Sequence, residues 1–231
     1  MPAEQVHYRS PRDKDESPKR NKRLLDEIGS QNITLPGYYR PTKQWDLVVY
    51  HDKLPIVIIE LKSQTGPSYG NNANNRAEEA IGNAVDLARA REVGLVPGHP
   101  WTGYVFVIED DAASRRRGAH RDRSFYPKDV IFADWSHIDR VRLLSQRLVE
   151  DGLYDAAWAV ATSRPTCPGA GNPKNCPQLG MNAAEHLHRF GWHELDTKTL
   201  SYVQFTAGLV SQIRQYYSAM QPTEDPITFL D

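Results

Sequence analysis

The sequence predicts an α/β fold in which a mixed central sheet is flanked by helices, with additional helices toward the C-terminus. Three observations carry that expectation. Two β-branched runs, "DLVVY" from Asp46 and "IVIIELK" from Ile56, are separated by a short turn containing His51, Asp52 and Pro55. A stripe of Ala77, Ala80, Ile81, Ala84, Leu87 and Ala88 then recurs at helical spacing. Beyond it, "WTGYVFVIEDD", Trp101 to Asp111, reads as a third strand. Strands joined by a short turn pair antiparallel, whereas the later strand returns after a helical crossover.

The chain has 231 residues, enough for one sizeable core, and a net charge of −1. Its 39% apolar content and mean hydropathy of −0.61 sit low for a globular protein yet above the range of disorder. No apolar run approaches the roughly 20 residues of a membrane span. The charged, proline-containing start is not the pattern of a secretory signal. Two cysteines make no disulfide framework, and a reducing cytoplasm is the expected setting. A polyanionic partner, if any, must be met by local patches of charge.

In chain order, residues 1–16 read as a flexible lead-in, and 17–231 as a single domain with its core up to about 112. Ser17-Pro18 has the form of a helix start and Gly29 of its stop. "TLPGYYRPTKQ" reads as a loop, because two prolines and a glycine interrupt it. After the hairpin, "GPSYGNNANN" reads as a second loop, and a helix runs from about Asn75 to Glu92. "ASRRRGAHRDRS" is a basic loop, "SHIDRVRLLSQRLVE" a helix, and the segment after it a second helix or a short strand. "RPTCPGAGNPKNCP" is irregular, and "MNAAEHLHRF" and "TLSYVQFTAGLVSQIRQYYSAM" close the chain as helices.

The hairpin carries charges where it should be most buried. Folding it symmetrically about Lys53 sets Asp46 opposite Glu60, with Cβ atoms about 4.5–5.5 Å apart on one face. Glu60 and Lys62 are two residues apart and share that face. Bare carboxylates so placed repel, and a divalent cation removes the conflict. Asp46, Glu60 and the Leu61 carbonyl suit Mg²⁺, which takes one or two carboxylates plus substrate phosphate. The plain alternative is a surface Asp–Lys or Glu–Lys pair, worth little. The aliphatic runs around both acids favour chemistry.

Asp46, thirteen intervening residues, then Glu60-Leu61-Lys62 resembles the PD-(D/E)xK nuclease signature, with Trp45 where that superfamily often has proline. "LPGYYRPTKQWDLVV", "ELKSQTGPSYGNN" and "NNRAEEAIG", running from Leu35 to Gly82, are similar to the XhoI family of type II restriction endonucleases. The resemblance implies a restriction-endonuclease-like core and Mg²⁺-dependent cleavage of both strands of a palindromic site, CTCGAG for this family. It also implies a bacterial cytoplasm and pairing with a DNA methyltransferase of the same specificity. Asp46 and Glu60 would hold the metal. Lys62 would orient the attacking water, assist its deprotonation or stabilise developing charge. Glu78, flanking the apolar stripe, is the better supporting acid, whereas Glu79 points away; Glu27 is another candidate.

For double-stranded DNA, Ser63, Gln64, Asn71, Asn72, Asn74, Asn75 and Arg76 follow the catalytic strand. Asparagine pairs bidentately with adenine and arginine with guanine, although turn-making and helix capping explain about half of the asparagines. Arg115, Arg116, Arg117, Arg121 and Arg123 form the densest basic patch, suited to phosphate contact or to a solvated loop. Cys167, Cys176, His186 and His188 fit no zinc spacing. A palindromic target calls for a homodimer. Two rival readings remain open: a repair or junction-resolving nuclease of the same superfamily, and a non-catalytic DNA-binding relative.

Overall fold

The first charged hairpin anchors a six-stranded mixed sheet in the order β1-β4-β5-β6-β7-β8. The computed structural model describes residues 6–8, 33–51, 53–118, 125–127, 129–163 and 191–220, the side chains of 6–8, 71 and 220 excepted. In chain order the elements are β1 (Val6–Tyr8), β2 (Thr34–Pro36), β3 (Thr42–Gln44), β4 (Leu47–His51), β5 (Leu54–Gln64), α1 (Tyr69–Glu92) and β6 (Trp101–Glu109). A short α2 (Ala112–Arg115) and a 3₁₀ turn (Val130–Phe132) lead to α3 (His137–Glu150), β7 (Ala156–Thr162), β8 (Trp192–Glu194) and α4 (Tyr202–Met220). No helix among the described residues is long and apolar enough to cross a membrane.

The β4–β5 hairpin forms in the expected register, with Leu47 opposite Ile59, Val48 opposite Ile58 and Val49 opposite Val57. A register shift between Val49 and Tyr50 then brings Tyr50 opposite Pro55 and His51 opposite Leu54. Lys53 turns the chain at φ 67°, an uncommon conformation outside glycine. Pro55 through Glu60 are all buried. Burying each of Ile56, Val57, Ile58 and Ile59 stabilises the fold by about 1.5–3 kcal/mol. That aliphatic stretch fixes the strand and carries Glu60 inside with it.

Several elements differ from expectation. Val6–Tyr8, read as part of a flexible lead-in, pair antiparallel with Leu47–Val49. "TLPGYYRPTKQ" is not a loop throughout: β2 and β3 pair antiparallel, Thr34 with Gln44 and Pro36 with Thr42, as a separate two-stranded sheet. The segment after α3 takes the strand alternative of its expectation, as β7, and β8 pairs antiparallel with it. The expected helices at Ser17–Gly29 and "MNAAEHLHRF", the cysteines Cys167 and Cys176, and Arg121 and Arg123 lie outside the described residues.

The largest difference is the start of α1, at Tyr69 rather than near Asn75. Glycine and asparagine have poor helix propensity, but tertiary contacts override it here. Tyr69 is 2% exposed and stacks on His137 with ring centroids 5.2 Å apart. Its carbonyl accepts from the Gln64 amide at 2.7 Å, and its hydroxyl donates to Glu109 at 3.3 Å. Burial, then the neighbouring Glu109 and Asp111 carboxylates, hold the Tyr69 phenol well above its usual pKa, so it remains a donor.

The described residues fall into two compact units, those within Met1–Glu60, Asp86–Gly103 and Val203–Asp231, and those within Leu61–Val85 and Tyr104–Tyr202. In the first, Trp45, Val48 and Ile58 pack with Leu87, Ala90 and Val96, so the later turns of α1 lie on the hairpin. In the second, Ala80 and Ala84 of α1 pack with Tyr104, Phe106, Val141, Leu148 and Tyr154. Of the apolar stripe of α1, Ala80, Ala84 and Leu87 are buried and Ala77 partly so, whereas Ile81 and Ala88 are exposed.

Candidate active site

Asp46 immediately precedes β4, one step beyond the Leu47–Ile59 pair. Continuing that register places it opposite Glu60, the pairing expected from the hairpin's symmetry. Asp46 is partly buried, and Glu60 is wholly so, at 0% exposure. A carboxylate at that depth is costly unless paired. Lys43 supplies a positive charge, with Nζ 3.1 Å from Glu60 Oε2 and 3.4 Å from Oε1. The sequence reading missed Lys43, because it took β3 for loop; three-residue strands carry too little periodicity to be found.

Lys62 follows Glu60 by two positions on β5, where alternation gives the two side chains the same face. Its ammonium lies 3.8 Å from Glu79 Oε2, and Arg76 lies 2.7 Å from the same oxygen. The contact made by Glu79 was not expected from the helical period. Glu79 does leave the apolar face, as its 46% exposure shows, yet its long side chain reaches back to Lys62. Glu78 is exposed. Glu27 lies outside the described residues.

Leu61 is 48% exposed between the two charged positions, and Ser63 is exposed beyond them. Gln64 is different. It is 3% exposed and donates to the Tyr69 carbonyl, which ties the end of β5 to the start of α1. Asn72, Asn74, Asn75 and Arg76 lie on the first turns of α1 and not in a loop, and the Asn71 side chain is outside the description. Asn74 accepts from Arg140 of α3, a residue the sequence reading did not single out. Three of the five arginines of the basic patch are described. Arg115 is engaged by Asp110, and Arg117 lies 3.4 Å from Asp134 and 3.5 Å from Asp139. Arg116 is exposed.

The donor chemistry fits a small hard cation. Asp46, Glu60 and the Leu61 carbonyl offer oxygen donors, the type such an ion takes, although among the described residues no group of three His, Cys, Asp or Glu side chains is placed to hold a metal. Such a set leaves positions for water and a phosphate oxygen, the arrangement Mg²⁺ favours.

The family model described as restriction endonuclease XhoI matches residues 24–172, which include the hairpin and α1. The chain belongs to the XhoI restriction endonuclease family. It is 46% identical over 130 residues to the type II restriction enzyme XhoI of Xanthomonas vasicola, covering 54% of this chain and 51% of that enzyme. It is 47% identical over 95 residues to type II restriction enzyme AbrI of Azospirillum brasilense, covering 40% and 43%. With type II restriction enzyme BstVI of Geobacillus stearothermophilus it shares 35% identity over 156 residues, covering 61% and 69%. The chain spans about half the length of the first two of these relatives. No solved structure matches it significantly. Membership of the XhoI family accounts for the restriction-endonuclease-like core, the mixed sheet flanked by helices.

Proposed function

We propose that this chain is a type II restriction endonuclease that cuts both strands of a palindromic DNA site in the presence of Mg²⁺, with residues 17–231 as one nuclease domain. The observation that carries this reading is the register of the hairpin, whose Leu47–Ile59 pair, extended by one position, sets Asp46 opposite the buried Glu60 within a family-matched segment. CTCGAG is the site that family resemblance suggests. A palindrome is read by two-fold symmetry, so the active species is a homodimer. A methyltransferase of the same specificity would protect the host, and the bacterial cytoplasm is the natural compartment.

Asp46, Glu60 and the Leu61 carbonyl would hold the cation. When bound, the cation supplies charge neutralisation at the scissile phosphate and a lower pKa for a coordinated water. Lys62 orients the attacking water, takes part in moving its proton, or meets the charge that builds on the phosphorus oxygens. The water oxygen forms its bond to phosphorus as the bond to O3′ breaks in line, leaving a 5′-phosphate and a 3′-hydroxyl. Arg76, Arg116 and the exposed asparagines Asn74 and Asn75 are candidate DNA contacts, the arginines for phosphate or guanine.

The test is digestion of a sequenced plasmid with and without Mg²⁺, with the ends mapped. Mg²⁺-dependent ends at one palindromic sequence are expected. Scattered ends would replace this reading with a shape-directed nuclease, and binding without cutting would replace it with a DNA-binding relative. Glu60→Ala should abolish cleavage while DNA binding in Ca²⁺ persists, and a variant that still cuts removes Glu60 from the mechanism.

A further inference from the structure

Lys43 is not used by the reaction outlined above, yet its surroundings are unusually specific. Its ammonium lies against both oxygens of Glu60, at 3.1 Å and 3.4 Å, and donates to the Gln44 carbonyl at 2.7 Å. The same nitrogen stands 5.0 Å from the centre of the buried Trp45 ring. The Lys43 side chain is only 16% exposed, and that of Glu60 is not exposed at all. A carboxylate, a carbonyl and a ring face converge on one nitrogen, so the charge is held in a built site and not at the end of a solvated chain.

We propose that Lys43 is a resident counter-ion for Glu60, occupying the place of positive charge at this carboxylate and giving it up when a divalent cation binds. The inference rests on reading Glu60 as a metal ligand. Its physical basis is the cost of a buried carboxylate without a cation beside it. The ammonium offsets that cost in the metal-free protein. A divalent ion at the same oxygens meets the ammonium at short range, where like charges repel strongly in a poorly solvated setting. The way out for Lys43 is solvent, which part of its side chain already reaches, at the loss of its Gln44 and Trp45 contacts. Lys43 therefore sets the cation affinity of the free protein below what Asp46 and Glu60 alone would give, and acts as a positioning residue through Glu60.

The experiment uses the full chain without DNA. Mn²⁺ is titrated into wild type, Lys43→Met, Lys43→Arg and Glu60→Gln, with free Mn²⁺ followed by electron paramagnetic resonance. Removing the competing charge in Lys43→Met should tighten Mn²⁺ binding by about tenfold or more, whereas Lys43→Arg, which keeps the charge, should stay within about twofold of wild type. Equal or weaker binding by Lys43→Met overturns the inference. A measurement on the wild type alone keeps the inference testable should Lys43→Met not fold. Amine acetylation read by mass spectrometry should modify Lys43 faster with Mg²⁺ than without it, relative to the exposed Lys198. Unchanged or slower Lys43 labelling also overturns it. A wild type with no Mn²⁺ site, or one that Glu60→Gln leaves intact, refutes the metal reading of Glu60 and this inference with it. A Glu60-dependent site that Lys43→Met does not tighten refutes the counter-ion role alone.

Discussion

Arg40 and Asp86 are joined by an ion pair, Nε to Oδ2 at 2.8 Å, in which the arginine is partly exposed and the carboxylate almost fully buried. The other oxygen of Asp86 accepts from the backbone N–H groups of Tyr38 at 2.9 Å and Tyr39 at 2.7 Å. One acid on α1 thereby holds the tip of the β2–β3 hairpin, the element that carries Lys43. Asp86→Ala should cost about 2 kcal/mol, the scale of hydrogen bonds to a charged group. Gly37→Ala should loosen the same tip, because a Cβ there meets Asp86 Oδ2 and the Arg40 carbonyl, each at 2.7 Å. Urea unfolding measures the first effect, and faster limited proteolysis at residues 37–41 reports the second. Unchanged values in both variants would refute the clamp.

Gly103 sits where the chain cannot take even a methyl group. A Cβ would lie 2.7 Å from Phe205 Cζ and 2.7 Å from Trp101 Cζ3, in an edge-on pair of rings with centroids 5.1 Å apart. Gly103→Ala should therefore destabilise the fold by about 1–3 kcal/mol through overpacking. Thermal unfolding checks this, and a melting point equal to wild type would contradict it.

Asp110 gives a pH dependence with a definite sign. The hydrogen bond from Arg115 is the largest cause of its lowered pKa, with the Arg115 charge and His193 acting in the same direction and burial opposing them. The unfolded chain then binds a proton at Asp110 more readily than the folded one. Its contribution to stability is complete above the ordinary carboxylate value of about 3.9 and is lost as pH falls through the lower folded value. Asp110→Asn should show a shallower loss of stability than wild type below about pH 4, in urea titrations across that range. Parallel profiles would rule Asp110 out as a contributor.

Lys62 tests the proposed chemistry apart from metal binding. Lys62→Gln should slow single-turnover cleavage by about 10²–10⁴-fold, the usual reach of a positioned proton-handling group. Its DNA affinity in Ca²⁺ should remain close to wild type. A rate within a few-fold of wild type would exclude Lys62 from the chemical step.

The β4–β5 register was legible because two β-branched runs flank a short turn, so folding the hairpin symmetrically about Lys53 predicts the Leu47–Ile59 ladder. Burial of Glu60 followed from the aliphatic residues before it. The early start of α1 was not legible, since Gly70 and the asparagines argue locally against helix and only the contacts of Tyr69 reverse that preference. β1, β3 and β8 have three residues each, too few to show a period. Lys43 was lost with β3. The contact between Glu79 and Lys62 escaped a reading by helical face, because a glutamate side chain is long enough to bend back from the face on which it starts.

The irregularity between Val49 and Tyr50 gives the hairpin slack at one end only. The three ladder pairs before it, Leu47–Ile59, Val48–Ile58 and Val49–Val57, are held by the aliphatic interior. The tip of the ribbon thus lies outside the register that sets the acid end. The acid end has no such freedom, since a slip of one position would turn Glu60 out of the interior and set Leu61 in its place.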